Sequence, residues 1–368
     1  MTQKARLLSL DVIRGLLVAF MILVNNPGSW EHVYAPFLHA EWHGFTPTDW
    51  IFPGALFVVG VSISLAFEPT RQKPALPTGL GKKILRRVAI LFGLGLFLNA
   101  FPTFPLDTWR IPGVLQRIAI VFWACAWLYL VTNWRQQIGI LLALLLGYWA
   151  LLALVPVPGG GSPNFLPQTN IAAWLDNNLL GSHIWSHSIS GDPEGILSTL
   201  PAIGTCILGM LSGSLYHHNQ HRPAPWSRQL MLFGAAIMAL GWVWGLVFPL
   251  NKNLWTSSFA VFTAGLSMVI LAACIYLLDV RRIRGWATPF HHFGVNPIAL
   301  YFLSGIVATL LYFITLSDGN SLHSWLYSNL FSSWLPLKAA SLAFAIAFVT
   351  FHWAVAFILF RRKVFIKV

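Results

Sequence analysis

Between Asn25 and Pro53 the chain reads NNPGSWEHVYAPFLHAEWHGFTPTDWIFP, a stretch holding His32, His39, His43, Glu31, Glu41 and Asp49 beside the amides Asn25 and Asn26. Only 9% of the residues are charged, so this crowding stands out against the rest of the sequence. An imidazole accepts a proton near neutral pH, a carboxylate orients it and favours its cation, and an amide NH2 donates to a developing oxyanion. Such a set suits acyl transfer. The same residue types also punctuate helices, with Asn near a C-terminus and Thr48 or Asp49 as an N-cap favoured by the helix dipole. For the groups to converge on one point, two helix ends must meet there.

The flanking elements read as membrane spans. The 368 residues are 57% hydrophobic, with 27 Phe and 18 Trp, too apolar for a soluble domain of this size. A spanning helix needs roughly 20 mostly apolar residues. Segments near 8–26, 49–67, 84–101, 112–132, 136–155, 195–216, 229–249, 256–278, 292–315 and 337–360 qualify. The expectation is an all-α, polytopic membrane protein of about ten transmembrane helices, one domain over 1–368. Its first segment starts like a signal peptide. Asp11 and Arg14 interrupt that start, the run continues to Val24 and no small-residue cleavage site follows, so it reads as a retained helix.

The formal net charge of +12 arises from short Lys and Arg clusters between apolar runs, not from a nucleic-acid surface. Under ten spans, 19 of the 23 basic residues fall on one side: Lys4, Arg6, Arg14, Arg71, Lys73, Lys82, Lys83, Arg86, Arg87, Arg135, Arg222, Arg228, Arg281, Arg282, Arg284, Arg361, Arg362, Lys363 and Lys367. That side is expected to be cytoplasmic, with both termini there. Residues 27–48, the long loop 156–194, the Asn251-Lys252-Asn253 turn and loop 316–336 then face outward. A loop as long as 156–194, which opens on a triple glycine, covers or binds something; lacking a following Lys-Ser/Thr, the glycines are no phosphate loop.

Isolated polar groups inside apolar runs come next. Asp11 and Arg14 share a helix face and can pair. Gln116 and Arg117 lie inside the fourth segment, where a positive charge is costly and lines a cavity or finds a partner. Asn99 and Asn296 read as helix–helix hydrogen-bonding amides. Asp192-Pro193-Glu194 has the form of a helix start, with the acids as alternative sugar-binding groups. Lys252 and Asn253 suit a saccharide-side cluster or an interfacial anchor. Cys125, Cys206 and Cys274 show no paired spacing, and His217, His218 and His221 lack acidic or thiol company, so neither disulfide nor metal is expected.

Seven stretches in order carry a family resemblance: LSLDVIRG at 8–15, VNNPGSW to TDWIFP at 24–53, RIPGVLQRIAI at 110–120, DPEGILSTLPAIGTCILG at 192–209, NKNLWTSSF at 251–259, GWATPFHHFGVNPIALY at 285–301 and FRRKVFIKV at 360–368. The sequence resembles the heparan-alpha-glucosaminide N-acetyltransferase family and its bacterial homologues. That resemblance implies a transmembrane transfer of acetyl from cytoplasmic acetyl-CoA to the amino group of a glucosamine-type sugar at the periplasmic side of a bacterial inner membrane. It also implies no metal, and a homodimer is in line with it. By it the active histidine matches His39, its neighbouring asparagine Asn25 and its aspartate Asp49. Glu41 and His43 depart from the animal members. On this reading Arg14, Gln116 and Arg117 line a channel for CoA, while Arg110, Lys252, Asn253 and Glu194 face the acceptor. A solute transporter without chemistry, or an envelope polysaccharide O-acetyltransferase, would fit the same pattern of spans and midplane polar groups.

Overall fold

The computed structural model describes residues 7–159, 161–317 and 319–366. Lys4, Arg6, Lys367 and the middle glycine of the triple glycine lie outside them. The helices are α1 (Leu8–Asn25), α2 (Ile51–Arg71), α3 (Leu80–Ala100), α4 (Val114–Val131), α5 (Trp134–Leu154), α6 (Ile171–Leu180), α7 (Thr199–His218), α8 (Pro223–Trp244), α9 (Ser257–Ile275), α10 (Thr288–Gly294), α11 (Pro297–Phe313), α12 (Leu322–Tyr327) and α13 (Leu337–Arg361). Among the described residues no strand forms, only isolated bridges at Val157–Gly161 and Thr315–Ser321. The chain is an all-helical, multi-pass membrane protein. Seven helices are long and apolar enough to cross a bilayer, and the bent pair α10–α11 makes an eighth candidate. The other long helices carry charge in their first two turns: Lys82, Lys83, Arg86 and Arg87 in α3, and Arg228 in α8.

Every place expected to hold a span carries a helix, with two instructive differences. The helix expected from residue 195 begins at Thr199, because Asp192 closes a turn instead of capping a helix. Its side chain accepts the Glu194 N–H at 2.9 Å and its carbonyl accepts the Gly195 N–H at 2.8 Å. The segment 292–315 is broken by a 75° bend between Gly294 and Pro297. Pro297 starts a new helix, and the buried Asn296 at the break bonds to the returning C-terminal segment. Its Nδ2 donates to the Val364 carbonyl at 2.9 Å and its Oδ1 accepts the Ile366 N–H at 2.8 Å. Asn99 also departs from expectation: it braces the 101–113 loop by donating to the carbonyls of Arg110 and Pro112.

Helix α1 sits among α2, α9, α10, α11 and α13, and α2 packs on α7 and α4. In lipid no hydrophobic force draws helices together, so close contact rests on small residues. A Cβ on Gly60 of α2 would lie 2.0 Å from the Cys206 carbonyl oxygen, and one on Gly209 of α7 would lie 2.1 Å from that of Phe57. This tight crossing fixes α2, and with it the turn before α2 that carries Asp49, against the rest of the core. The three cysteines are free and buried.

The 156–194 loop packs back on the protein. Its Phe165 carbonyl accepts the Trp42 indole N–H at 2.8 Å, tying it to the 26–46 loop. Its helix α6 buries Ala172 with Tyr148, Leu152, Phe248 and Leu254.

Candidate active site at the head of the second helix

Pro47–Trp50 forms a short 3-10 turn that leads into α2. Thr46, not Thr48, is the N-cap, in a capping box with Asp49: the Asp49 Oδ2 accepts the Thr46 N–H at 2.9 Å and its hydroxyl at 3.0 Å. The same oxygen accepts the Ala40 N–H at 3.1 Å. The other, Oδ1, lies 2.6 Å from His39 Nδ1. Asp49 is thus both helix punctuation and the partner of the imidazole, and the two readings of this residue are one structure.

A carboxylate at Nδ1 selects the tautomer with the proton there and the lone pair on Nε2. Lys252 Nζ stands 2.9 Å from that Nε2 and 3.3 Å from Nδ1. The side chain of His39 is 45% exposed and that of Asp49 only 1%, so the base is open while its orienting group is shielded. Burial disfavours the imidazolium, the Asp49 hydrogen bond opposes this, and the Lys252 charge adds to the burial effect. The His39 pKa ends below its ordinary value. Lys252 is also lowered, by burial first and by Arg117, against the attraction of Glu194 and Asp49.

A second cluster borders the first. Arg110 donates from Nε and Nη2 to both oxygens of Asp192, at 2.8 and 2.6 Å, and from Nη2 to Glu194 at 2.5 Å. Burial penalises this cation, but the paired carboxylates outweigh it and raise its pKa. Asp176 of α6 accepts the Asp192 and Ile196 N–H groups, and burial pushes its carboxyl up to about 6. Arg117 is buried, donates to Ser198 at 2.5 Å and the Gly195 carbonyl at 3.1 Å, and lies over the Trp255 ring at 5.1 Å. Its Nε and Nη1, and Gln116 Nε2, are buried without hydrogen-bond partners.

A cavity of about 530 Å³ runs between α1, α2, α3, α4 and α11. From Ala55 to Phe67 on α2 its wall spans roughly 18 Å at 1.5 Å per residue. At one end stand Arg14, which donates to Asp11 at 3.1 Å and Ser62 at 2.6 Å, and Arg87, over the Phe122 ring at 4.4 Å. Toward the other end are Met21, Val114 and Tyr301, and Tyr301 feels the charges of Glu194 and Arg110. Glu194 in turn acts on His39 and Lys252.

The structure brings together His39, Asp49 and Lys252, with Glu194, Arg110 and Arg117 alongside. Arg110 holds the 192–194 turn. Of the three residues expected to line a CoA channel, Arg14 lies on the cavity, whereas Gln116 and Arg117 sit beside its α4 wall of Val114, Leu115, Ile118 and Phe122. Asn25 is exposed at the end of α1, one turn beyond the cavity residue Met21, and takes no part in the bonds joining His39, Asp49 and Lys252. Asn253 also stays outside those bonds. His43, which the family resemblance did not match to an active residue, lies 3.3 Å from the buried Asn251 amide. Arg87 and Asp176 were missed in the sequence. Arg87 stands two turns into α3, and that depth was a usable signal; Asp176 carried none.

Fold and site define a multi-pass membrane protein with a carboxylate-oriented imidazole ahead of α2 and a cavity between its helices. Residues 6–242 match the catalytic family of heparan-alpha-glucosaminide N-acetyltransferase, and the chain belongs to that family. It is 29% identical to the human heparan-alpha-glucosaminide N-acetyltransferase and 27% identical to that of Mus musculus, in each case over 99% of this chain and 60% of the relative. The chain thus spans about 60% of the length of these relatives.

Proposed function

We propose that the protein is a transmembrane acetyltransferase of a bacterial inner membrane, with ten spans and cytoplasmic termini. It moves acetyl from cytoplasmic acetyl-CoA to the amino group of a glucosamine-type sugar on the periplasmic side. The observation that carries this reading is the His39–Asp49 pair, a half-exposed imidazole oriented by a buried carboxylate, in a chain that also encloses a cavity with Arg14 and Arg87 at one end.

CoA enters from the basic side. Its phosphates meet Arg14 and Arg87, since a guanidinium fork bonds two phosphate oxygens at once. The flexible arm lies along the apolar wall, with Gln116 and Arg117 supplying donors beside it, and the thioester arrives near Met21. Arg14, Leu17, Val18, Met21 and Asn25 recur at helical spacing on one face of α1, and on this reading the Asn25 amide donates to the thioester oxygen as it gains charge. His39 Nε2 removes a proton from the sugar ammonium, Asp49 holds the ring, and Glu194 attracts the incoming cation beside Lys252 and Asn253. Direct attack by the sugar amine is the simpler course, because base and acceptor meet at one nitrogen.

The test is release of free thiol from acetyl-CoA by purified protein in detergent across a panel of amino sugars. Glucosamine-dependent release is expected. No release with any amino sugar overturns the reading and favours a transporter, and an ester in the product favours O-acetylation.

A further inference from the structure

Three stretches far apart in the chain, 8–15, 285–301 and 360–368, meet at the end of the cavity that holds Arg14. Helix α1 and the α10–α11 break touch there: a Cβ on Gly294 would lie 1.7 Å from the Asp11 carbonyl oxygen, and one on Gly15 would lie 1.7 Å from that of Phe290. Helix α13, which packs on α10, stops at a left-handed residue, Lys363 with φ 56°, and the Val364 N–H returns to the Leu359 carbonyl at 2.9 Å. This stop turns the chain back. The buried Asn296 then holds it at two points, donating to the Val364 carbonyl at 2.9 Å and accepting the Ile366 N–H at 2.8 Å. An amide that donates and accepts at once fixes both the direction and the register of the segment it grips. Ile366 is thereby set into the cavity wall beside Gly294, Val295 and Pro297, and it stays 49% exposed, as a residue at a rim does. Arg87, on the same cavity, feels the charge of Arg14, so two cations share this end with one branched apolar side chain.

We propose that Ile366 is a donor-binding residue and that Asn296 positions it: the segment after α13 forms the rim of the donor site and packs Ile366 on the branched carbon that follows the diphosphate of CoA. The inference rests on the acetyl-donor reading above. CoA changes character at that point along its length, from charged phosphates to an arm whose first branched group is a carbon bearing two methyls. Phosphates at Arg14 and Arg87 leave this carbon at the rim, where it needs an apolar partner. Ile366 supplies one from outside any helix, so its place depends on the two Asn296 bonds. Asn296 therefore acts through Ile366 and touches no substrate.

The experiment measures CoA binding to the purified full chain in detergent by titration calorimetry, thiol release from acetyl-CoA with glucosamine, and amide exchange over 360–368 by mass spectrometry, all on the same preparations. Ile366→Ala is expected to raise Kd for CoA and KM for acetyl-CoA about three- to tenfold, the scale of a few lost methyl contacts, with kcat and KM for glucosamine unchanged. Asn296→Ala should raise them as much and should also speed exchange at 364–366, which Ile366→Ala should not. Ile366→Leu, of equal volume, should bring Kd back to within about twofold of wild type. A wild-type Kd in Ile366→Ala, or a change that falls on kcat or on the acceptor instead, overturns the inference; if CoA still binds and thiol is still released, the acetyltransferase reading survives. Failure of the wild type to bind CoA overturns both. Should Asn296→Ala not fold, the Ile366 variants, altered at a half-exposed side chain, decide between these outcomes.

Discussion

Lys252 Nζ contacts the ring nitrogen of His39 that Asp49 leaves unprotonated, at 2.9 Å. A base poised against a cation in this way is kept neutral and ready, and its behaviour depends on both partners.

Replacing the base separates chemistry from folding. His39→Ala should lower acetyl transfer by on the order of 10²–10⁴-fold, the usual contribution of a positioned proton acceptor. The variant leaves the buried Asp49 Oδ1 without its partner, so stability in detergent should fall by about 1–3 kcal/mol while the protein stays folded. Full turnover in the variant would remove His39 from the mechanism.

The two roles of Asp49 can be pulled apart. Thr46→Ala removes a cap hydroxyl and should cost about 1 kcal/mol of stability with little loss of kcat. Asp49→Asn keeps acceptors for the Thr46 and Ala40 N–H groups but takes the charge from the imidazole, so kcat should fall steeply while the melting temperature moves less. Equal effects of both variants on kcat would show that Asp49 acts only through the helix start.

The pH profile follows from the same contacts. Burial and Lys252 both disfavour the His39 cation, Asp49 favours it, and the net effect is a lowered pKa. The acid limb of kcat/KM should therefore lie below the ordinary imidazole value of about 6.5. Lys252→Met removes one lowering influence and should move that limb to higher pH. A limb that moves downward, or stays put, would contradict the contact.

Arg110 is expected to matter through the turn it holds. Arg110→Ala leaves Asp192 and Glu194 without their bidentate partner and should destabilise by on the order of 3 kcal/mol. Hydrogen exchange should rise across residues 185–198. Arg110→Lys, without the planar fork, should recover only part of this. A melting temperature equal to wild type in Arg110→Ala would show the network to be dispensable.

Donor recognition should track the arginines at the far end of the cavity. Arg14→Gln and Arg87→Gln should each raise KM for acetyl-CoA severalfold to tenfold, the scale of one charge-assisted hydrogen bond, and leave KM for the acceptor unchanged. An increase confined to the acceptor would place the nucleotide elsewhere.

The sequence by itself determined the helices, because long apolar runs in lipid have no other way to satisfy their backbone. It also singled out the crowded stretch before α2, since charged groups are scarce enough here for a cluster to be visible. Tertiary structure decided which members of that cluster act together. His32, His39 and His43 are alike in type and neighbourhood along the chain; the family resemblance pointed to His39, and the return of Asp49 through the capping box at Thr46 is the physical reason that it is the oriented one. Lys252 lies 213 positions from His39 and reaches it because α9 and the turn before it pack beside α2. The sequence pointed to a channel through Arg14, Gln116 and Arg117, but where the cavity runs was not legible in it, for a related reason. Its wall is made of ordinary apolar side chains, and whether such residues enclose space or fill it depends on helix crossings set by small residues such as Gly60 and Gly209, not on any one helix alone.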